Sequence, residues 1–485
     1  MTRILNPEML TSHGNVRGRK AMLEILEAGL QAADPYYNTR KAMRLDGDIL
    51  TVGGADFRLP DDPVGHDEVI DLSKVGRIFV FGAGKGSQRA AKAIEDTLGD
   101  RLTGGHIIDK HGNDLICERI GVTFGAHPVP DEGCMRGCER ILEMAQDLRE
   151  DDLVFTVACN GISSLLTLPV PGVSLDDVRE TTYLMQIDRG APTVDLNPIR
   201  NHLDLMKGGR FARHLQPAKA IHFVVWNLPS YAYVRNQNVW LHSLPESSTF
   251  EKAIHNLKKW DAWDAVPASI RKHLLRADPA QETVKFDEFE KMDARVFAIM
   301  PTHLMMVPVV MEKARELGVT PYLLYETVTM KAEASQVAVV TSNIARQVER
   351  TNQPFEAPAA LIGRTEMIVT VGKGTGMGGR NQEYALAAAV HIEGSERIVM
   401  GSVDTDGTDG PGKQFNDSYP DIPVLDGAIV DGTTAGRVRE LGFDLFAELK
   451  DHNTSPVLYA LGDGVVATPN ISMNDLTVTL ILGEA

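Results

Sequence analysis

Two glycine-rich segments set a cation beside backbone able to hold an anion. Gly82-Ala83-Gly84-Lys85-Gly86 follows a short apolar run, residues 77–81, and precedes an expected helix over 88–98. Glycines at a strand-to-helix turn let backbone N–H groups approach an anion closely. The helix start adds partial positive charge, and Lys85 adds a full one. Gly82, Gly84 and Lys85 are therefore candidates for holding a phosphate or carboxylate. The competing reading is a tight βα turn with a solvated lysine, because neither a full dinucleotide fingerprint nor a Walker loop is present. The second segment runs from Lys373 through Gly374, Gly376, Gly378 and Gly379 to Arg380-Asn381-Gln382-Glu383, with a strand expected at 367–371 and a helix over 381–390. A planar guanidinium at a helix start can clamp a carboxylate or phosphate through two parallel hydrogen bonds. Lys373, Gly379, Asn381 and Glu383 complete this candidate cradle, against the plainer reading of a flexible surface loop.

Three further segments carry possible chemistry. Asp404-Thr405-Asp406-Gly407-Thr408-Asp409 offers oxygen ligands for a hard cation, with Asp406 and Asp409 as the expected ligands. Asp-Gly turn chemistry is the alternative. Asn197-Pro198-Ile199-Arg200-Asn201-His202, with Lys207 and Arg210 after it, is locally basic. His202, Lys207 and Arg210 are the candidates taken from it, His202 as a possible acid/base group. Ser163 and Ser164 lie in Asn160-Gly161-Ile162-Ser163-Ser164, a polar turn after an expected strand at 153–158. No Gly-x-Ser-x-Gly elbow occurs there, which argues against a serine hydrolase.

Expected strands and helices alternate along the chain, which points to an α/β architecture. Residues 17–45 read as helical, with a break at Asp34-Pro35. Strands are expected near 77–81, 107–108, 153–158 and 220–226. Residues 245–300 are rich in charged helix formers and read as a helical connection. Strands near 297–300, 322–325, 367–371, 398–403 and 476–482 are assigned to a second body. The expected division is thus 1–245, 246–300 and 301–485. The 485 residues include 49 basic and 66 acidic side chains, a formal net charge of −17. That balance disfavours polyanionic partners such as nucleic acid and anionic membranes, but not a small acid held by local cations. Four cysteines form no disulfide framework. No apolar run is long enough to span a bilayer, and a cytoplasmic location is expected.

Taken together, these motifs resemble the type-2 glycerate kinases, whose C-terminal half is the MOFRL domain. The family's G-A-G-K-A is matched at 82–86, with Gly86 in place of alanine. Its G-H-P-V-P-D-E is matched at 126–132, its K-G-G-R-L-A at 207–212 and its G-G-R-N-Q-E at 378–383. Its T-D-G-x-D-G falls at 405–410, A-I-V-D-G-T-T at 428–434 and A-L-G-D at 460–463. The resemblance spans roughly residues 17–480. It implies an N-terminal Rossmann-like α/β/α domain, a smaller C-terminal α/β (MOFRL) domain, and an active site in the cleft between them. It also implies ATP- and Mg²⁺-dependent phosphoryl transfer to the 2-hydroxyl of D-glycerate, with Lys85 and Arg380 matching the family's suspected catalytic pair. Such chemistry needs charge neutralisation and positioning more than covalent steps.

The chain departs from the family at several loops. Asn160-Gly161-Ile162-Ser163-Ser164-Leu165 stands for G-G-G-S-A-L, and Trp226-Asn227-Leu228-Pro229-Ser230-Tyr231 for S-D-V-P-G-D. Asn453-Thr454-Ser455-Pro456 stands for N-D-S-Y, and a longer loop at 411–426 brings Lys413, Asp417 and Asp421. These changes leave two alternatives. One is a non-kinase acting on a carboxylated sugar acid, an isomerase or lyase using Lys85 or His202. The other is a hydroxypyruvate reductase, although neither Asp100 nor Asp109 sits clearly at the strand tip that a ribose-binding acid occupies. The expected partners are the acid and a nucleotide, with oligomerisation open.

Overall fold

The computed structural model describes residues 2–484 apart from 412–415, 417, 470 and 472; Lys413 and Asp417 therefore lie outside the described residues. The chain forms two compact units, one of residues 35–301 and one of 1–34 with 302–485.

The first unit is built on six parallel strands. They are β4 (Ile78–Ala83), β5 (Gly104–Lys110), β6 (Gly121–Gly125), β7 (Leu153–Ala158), β8 (Lys219–Val224) and β9 (Ala294–Ala298). A small antiparallel sheet precedes them, of β1 (Met43–Asp46), β2 (Ile49–Val52) and β3 (Glu68–Asp71). β4 and β7 are buried at every position. Strands covered on both faces read in sequence as unbroken apolar runs rather than alternating ones, which is why these two are visible in the sequence. The sheet order is β6-β5-β4-β7-β8-β9. The winding direction reverses between β4 and β7, so the loops leaving their carboxyl ends diverge and open a crevice.

β9 corrects the expected division of the chain. The segment assigned to a second body instead pairs parallel with β8, from Ala220–Ala294 to Val224–Ala298. The intervening helices Phe250–Lys259 and Ala268–Arg276 are not a free connection. Phe250, Ala253, Leu257, Ile270 and Leu274 pack with Leu196 and Ile199 of the helix Thr193–His202.

The second unit holds a mixed sheet of β10 (Thr320–Glu333), β11 (Ala359–Ile368), β12 (Ile398–Asp404), β13 (Gly427–Asp431), β14 (Gly464–Val465) and β15 (Asp475–Ile481). Its order is β10-β11-β15-β12-β13-β14. Residues 1–34, read from sequence as part of the N-terminal body, belong here. Met22, Ile25, Leu26 and Leu30 of the helix Val16–Ala32 pack on Val399, Leu476, Val478 and Leu480. Arg19 pins this helix: its buried Nε meets Asp431 at 2.5 Å and its Nη1 meets Asp463 at 2.9 Å. Burial pushes both carboxyls up, but the Arg19 charge together with the hydrogen bonds and other cations around them holds both below the ordinary carboxylate range. Among the described residues no helix is long and apolar enough to cross a membrane. Arg19→Met would leave two buried carboxylates short of their counter-charge and should cost about 3–5 kcal/mol in chemical denaturation.

Candidate functional site

The turn after β4 serves the fold before any ligand. Gly82 lies within β4, where a Cβ would sit 2.3 Å from the Val157 carbonyl oxygen of β7. Gly84 has φ +131°, and a Cβ there would fall 2.5 Å from the Cys159 Cβ. Both glycines are required by close packing, and neither lines the cavity that Lys85 enters, contrary to the sequence expectation. The turn already holds an anion of its own. Asp109, 1% exposed at the end of β5, accepts from the Gly86 N–H at 2.9 Å, the Lys110 N–H at 2.7 Å and Gln88 Nε2 at 3.1 Å. Asp109 thus does sit at a strand tip, but both of its oxygens are taken.

Lys85 points elsewhere, into a cavity of about 480 Å³ at the diverging ends of β4 and β7. Its polar wall contains Lys85, His127, Asn160, Ser163, Ser164 and Arg200, and its other wall is aromatic, from Trp226, Tyr233 and Trp240. Gly161 has φ +81°, and a Cβ there would lie 3.1 Å from both the Lys85 Cγ and the His127 ring. Its bare backbone is what lets these two side chains share the wall. Burial, then the charges of Lys85, Lys110 and Arg200, push the His127 imidazole down to about 4, so it is neutral at pH 7. Ile162, which replaces a glycine of the family pattern, is fully buried in the core and does not line the cavity. Asn227 does not line it.

Arg200 is the charge this wall leaves uncompensated. It is 9% exposed and donates to Gln186 Oε1 at 2.9 Å and Asn197 Oδ1 at 3.4 Å. Among the described residues no carboxylate pairs with it, nor with Lys85. Burial lowers Arg200 to about 10, which still leaves it charged at neutral pH.

The three neighbouring residues selected from sequence are spent inside the fold. His202 is fully buried, its Nδ1 at 2.6 Å from the Pro198 carbonyl and its Nε2 at 2.8 Å from Glu282. Lys207 is buried against Asp204 and donates to Thr167 Oγ1 at 2.8 Å. Arg210 donates to the carbonyls of Asp204 at 2.8 Å and Lys207 at 3.2 Å. None of the three lines the cavity. Residues two apart on a helix point to different faces. On Thr193–His202 that places Arg200 on the cavity, while His202 packs its ring 4.6 Å from that of Phe250. Arg200 and His127 lie within the sequence motifs but are not among the candidates taken from them; helical periodicity is the signal that separates Arg200 from His202.

The second glycine-rich segment forms a separate hollow of about 450 Å³, lined by Met367, Val369, Gly379, Arg380, Glu383 and His452 among others. β11 ends at Ile368, so the strand expected at 367–371 stops short. Arg380 lines this hollow with its charge already paired inside the chain. Its Nη2 meets Asp404 at 3.0 Å and Asp475 at 2.8 Å. Asp409, expected as a metal ligand, instead caps the helix Arg380–Ile392 through the N–H groups of Asn381 at 3.0 Å and Gln382 at 2.9 Å. Asn381 is buried beneath it, also bonded to Asp409. Glu383 pairs with His452 at 2.6 Å, and Lys373 is exposed outside the hollow. Asp406 accepts from the Thr408 N–H at 3.1 Å, as an Asp-Gly turn would. Among the described residues no three carboxylate, thiol or imidazole groups gather as a metal cluster. Asp426, which the sequence did not single out, is fully buried with no hydrogen-bond partner at either oxygen among the described residues.

A family model described as a domain of unknown function, DUF4147, matches residues 21–275, and the MOFRL family model matches 359–474. The chain is 31% identical over 474 residues to a glycerate 2-kinase of Pyrococcus horikoshii, covering 96% of this chain and 98% of that one. It is 29% identical to a putative hydroxypyruvate reductase of Agrobacterium vitis, over 96% and 95% of the two chains. A crystal structure of a glycerate kinase from Thermotoga maritima matches with a TM-score of 0.72 at 29% identity, covering 96% of this chain and 99% of that one. With both family models in order and a relative this similar end to end, the chain belongs to the type-2 glycerate kinase family and is a phosphotransferase of that kind.

Proposed function

We propose that the protein phosphorylates D-glycerate, or a close hydroxy acid, at the 2-hydroxyl, using ATP and Mg²⁺. The observation that carries this reading is the buried Arg200 guanidinium, which has no carboxylate partner and faces a cavity shared with Lys85 and Ser163. Such a charge calls for an anionic ligand. In this reading the acid's carboxylate is received by Arg200 and Ser163, and Lys85 neutralises charge on the phosphoryl group in transit. The neutral His127 imidazole accepts the hydroxyl proton. A cavity of about 480 Å³ exceeds what a three-carbon acid fills, leaving room for a terminal phosphate beside it.

Mg²⁺ typically uses one or two protein carboxylates, with water and phosphate completing its shell. Asp426, whose two oxygens have no partner among the described residues and whose carboxyl is pushed well up by burial and then by the Asp406 charge, and Asp406 would hold the ion, whose charge offsets both effects. Once bound, Mg²⁺ would neutralise charge on the nucleotide phosphates.

Each alternative loses a residue, although Lys85 stays in the cavity. A reductase needs a free acid after β5, and Asp109 is committed to the Gly86 turn. A lyase or isomerase would have to rely on Lys85, because His202 lies outside the cavity.

Coupled ADP release with D-glycerate and a panel of four- to six-carbon sugar acids tests the reading; absence of ATP turnover with every one of them would end it. Lys85→Met should melt within about 0.5 kcal/mol of the parent while lowering turnover by about 10³-fold. Lys207→Met, in contrast, strands Asp204 in the core and should cost about 3–5 kcal/mol of stability. Arg200→Met should raise the KM for the acid by about 10²-fold or more.

A further inference from the structure

Ser163 stands between two groups that can only donate to it. One is Asn197, fully buried. Its Oδ1 faces Arg200 Nη1 at 3.4 Å, and a guanidinium accepts nothing. The Asn197 amide nitrogen is therefore the atom that faces Ser163 Oγ, at 3.1 Å. The other is His242, 1% exposed, whose Nε2 lies 2.9 Å from the same oxygen. Its Nδ1 faces the backbone N–H of Gly208 at 3.5 Å. A proton on Nδ1 would set two N–H groups head to head, so Nδ1 keeps its lone pair and Nε2 carries the hydrogen. Burial, reinforced by the charges of Lys207 and Arg200, pushes this imidazole well below its ordinary range, so it stays neutral at pH 7.

A serine hydroxyl has two lone pairs and one hydrogen. Asn197 and His242 fill the lone pairs. Among the described residues no protein atom accepts the hydrogen, and Ser163 lines the cavity beside Lys85 and Arg200. We propose that Ser163 is held as an obligate hydrogen-bond donor to the carboxylate of the bound acid, and that His242 is the positioning residue that enforces this polarity. This deepens the kinase reading and rests on it. The wall then favours an oxygen bearing lone pairs and penalises any ligand group that presents a hydrogen there.

Two measurements test the arrangement. The first is ¹⁵N NMR of the full-length protein labelled at histidine, with His242 assigned by its loss in His242→Gln. The neutral Nε2–H tautomer is expected at pH 7; the Nδ1–H tautomer or an imidazolium would overturn the proposal. The second is a KM-against-kcat split with D-glycerate. His242→Phe should raise KM about 10- to 100-fold with kcat within about twofold. Ser163→Ala should do the same, and the double variant should be no worse than either single one. His242→Gln, whose amide can offer an N–H at the Nε2 position, should restore KM to near the parent value. An unchanged KM in His242→Phe, or kcat and KM losses that His242→Gln does not relieve, would refute the positioning role. If the unaltered enzyme phosphorylated no acid, the kinase reading would fail, and the tautomer result would still decide the donor arrangement.

Discussion

A guanidinium buried without a counter-charge is expensive, and many of the buried charges in this fold are met from within the chain. Asp431 and Asp463 face Arg19, and Asp204 faces Lys207. Asp109 and Asp409 receive backbone N–H groups. Against that background Arg200 is an exception held in place by its surroundings. Its helix is anchored by Leu196 and Ile199 in an apolar cluster with Phe250, Ala253 and Leu257. Gln186 and Asn197 satisfy part of its hydrogen-bonding capacity without neutralising it. A site of this kind is kept charged by the packing behind it, and an anion is what completes it.

The same logic reassigns the glycine-rich segments. Both look from sequence like cradles waiting for phosphate. In each, glycines let one stretch of backbone approach another, and the anion at the turn is an aspartate of the chain itself. Gly379 makes the case sharply, since a Cβ there would lie 2.3 Å from the Asp409 carboxyl carbon. Lys85 keeps a ligand-facing position because the turn it belongs to is already satisfied internally.

Much of the fold was legible because its signals are local. Buried parallel strands give apolar runs, and βα alternation gives the layer order; the first helix shows its packing face in Met22, Ile25, Leu26 and Leu30. What sequence could not assign was which unit a segment joins. Residues 1–34 and β9 each pack far from where chain order suggests, through pairings such as Arg19 with Asp463, 444 positions apart. At the site, Lys85 and Ser163 were readable as residue types after strand ends. His242 was not, because its meaning lies in a contact with a serine 79 positions away. The net charge of −17 disfavours polyanionic partners and says nothing about a single buried arginine.

Thermal melting of the parent chain and of Arg200→Met, each with and without D-glycerate, tests the central claim most directly. At one hundred times its Kd the acid should stabilise the parent by about 2.7 kcal/mol. Arg200→Met should melt at or above the unliganded parent, having lost an uncompensated charge, and should show no shift with the acid. A variant that is destabilised yet keeps the full D-glycerate shift would contradict the account.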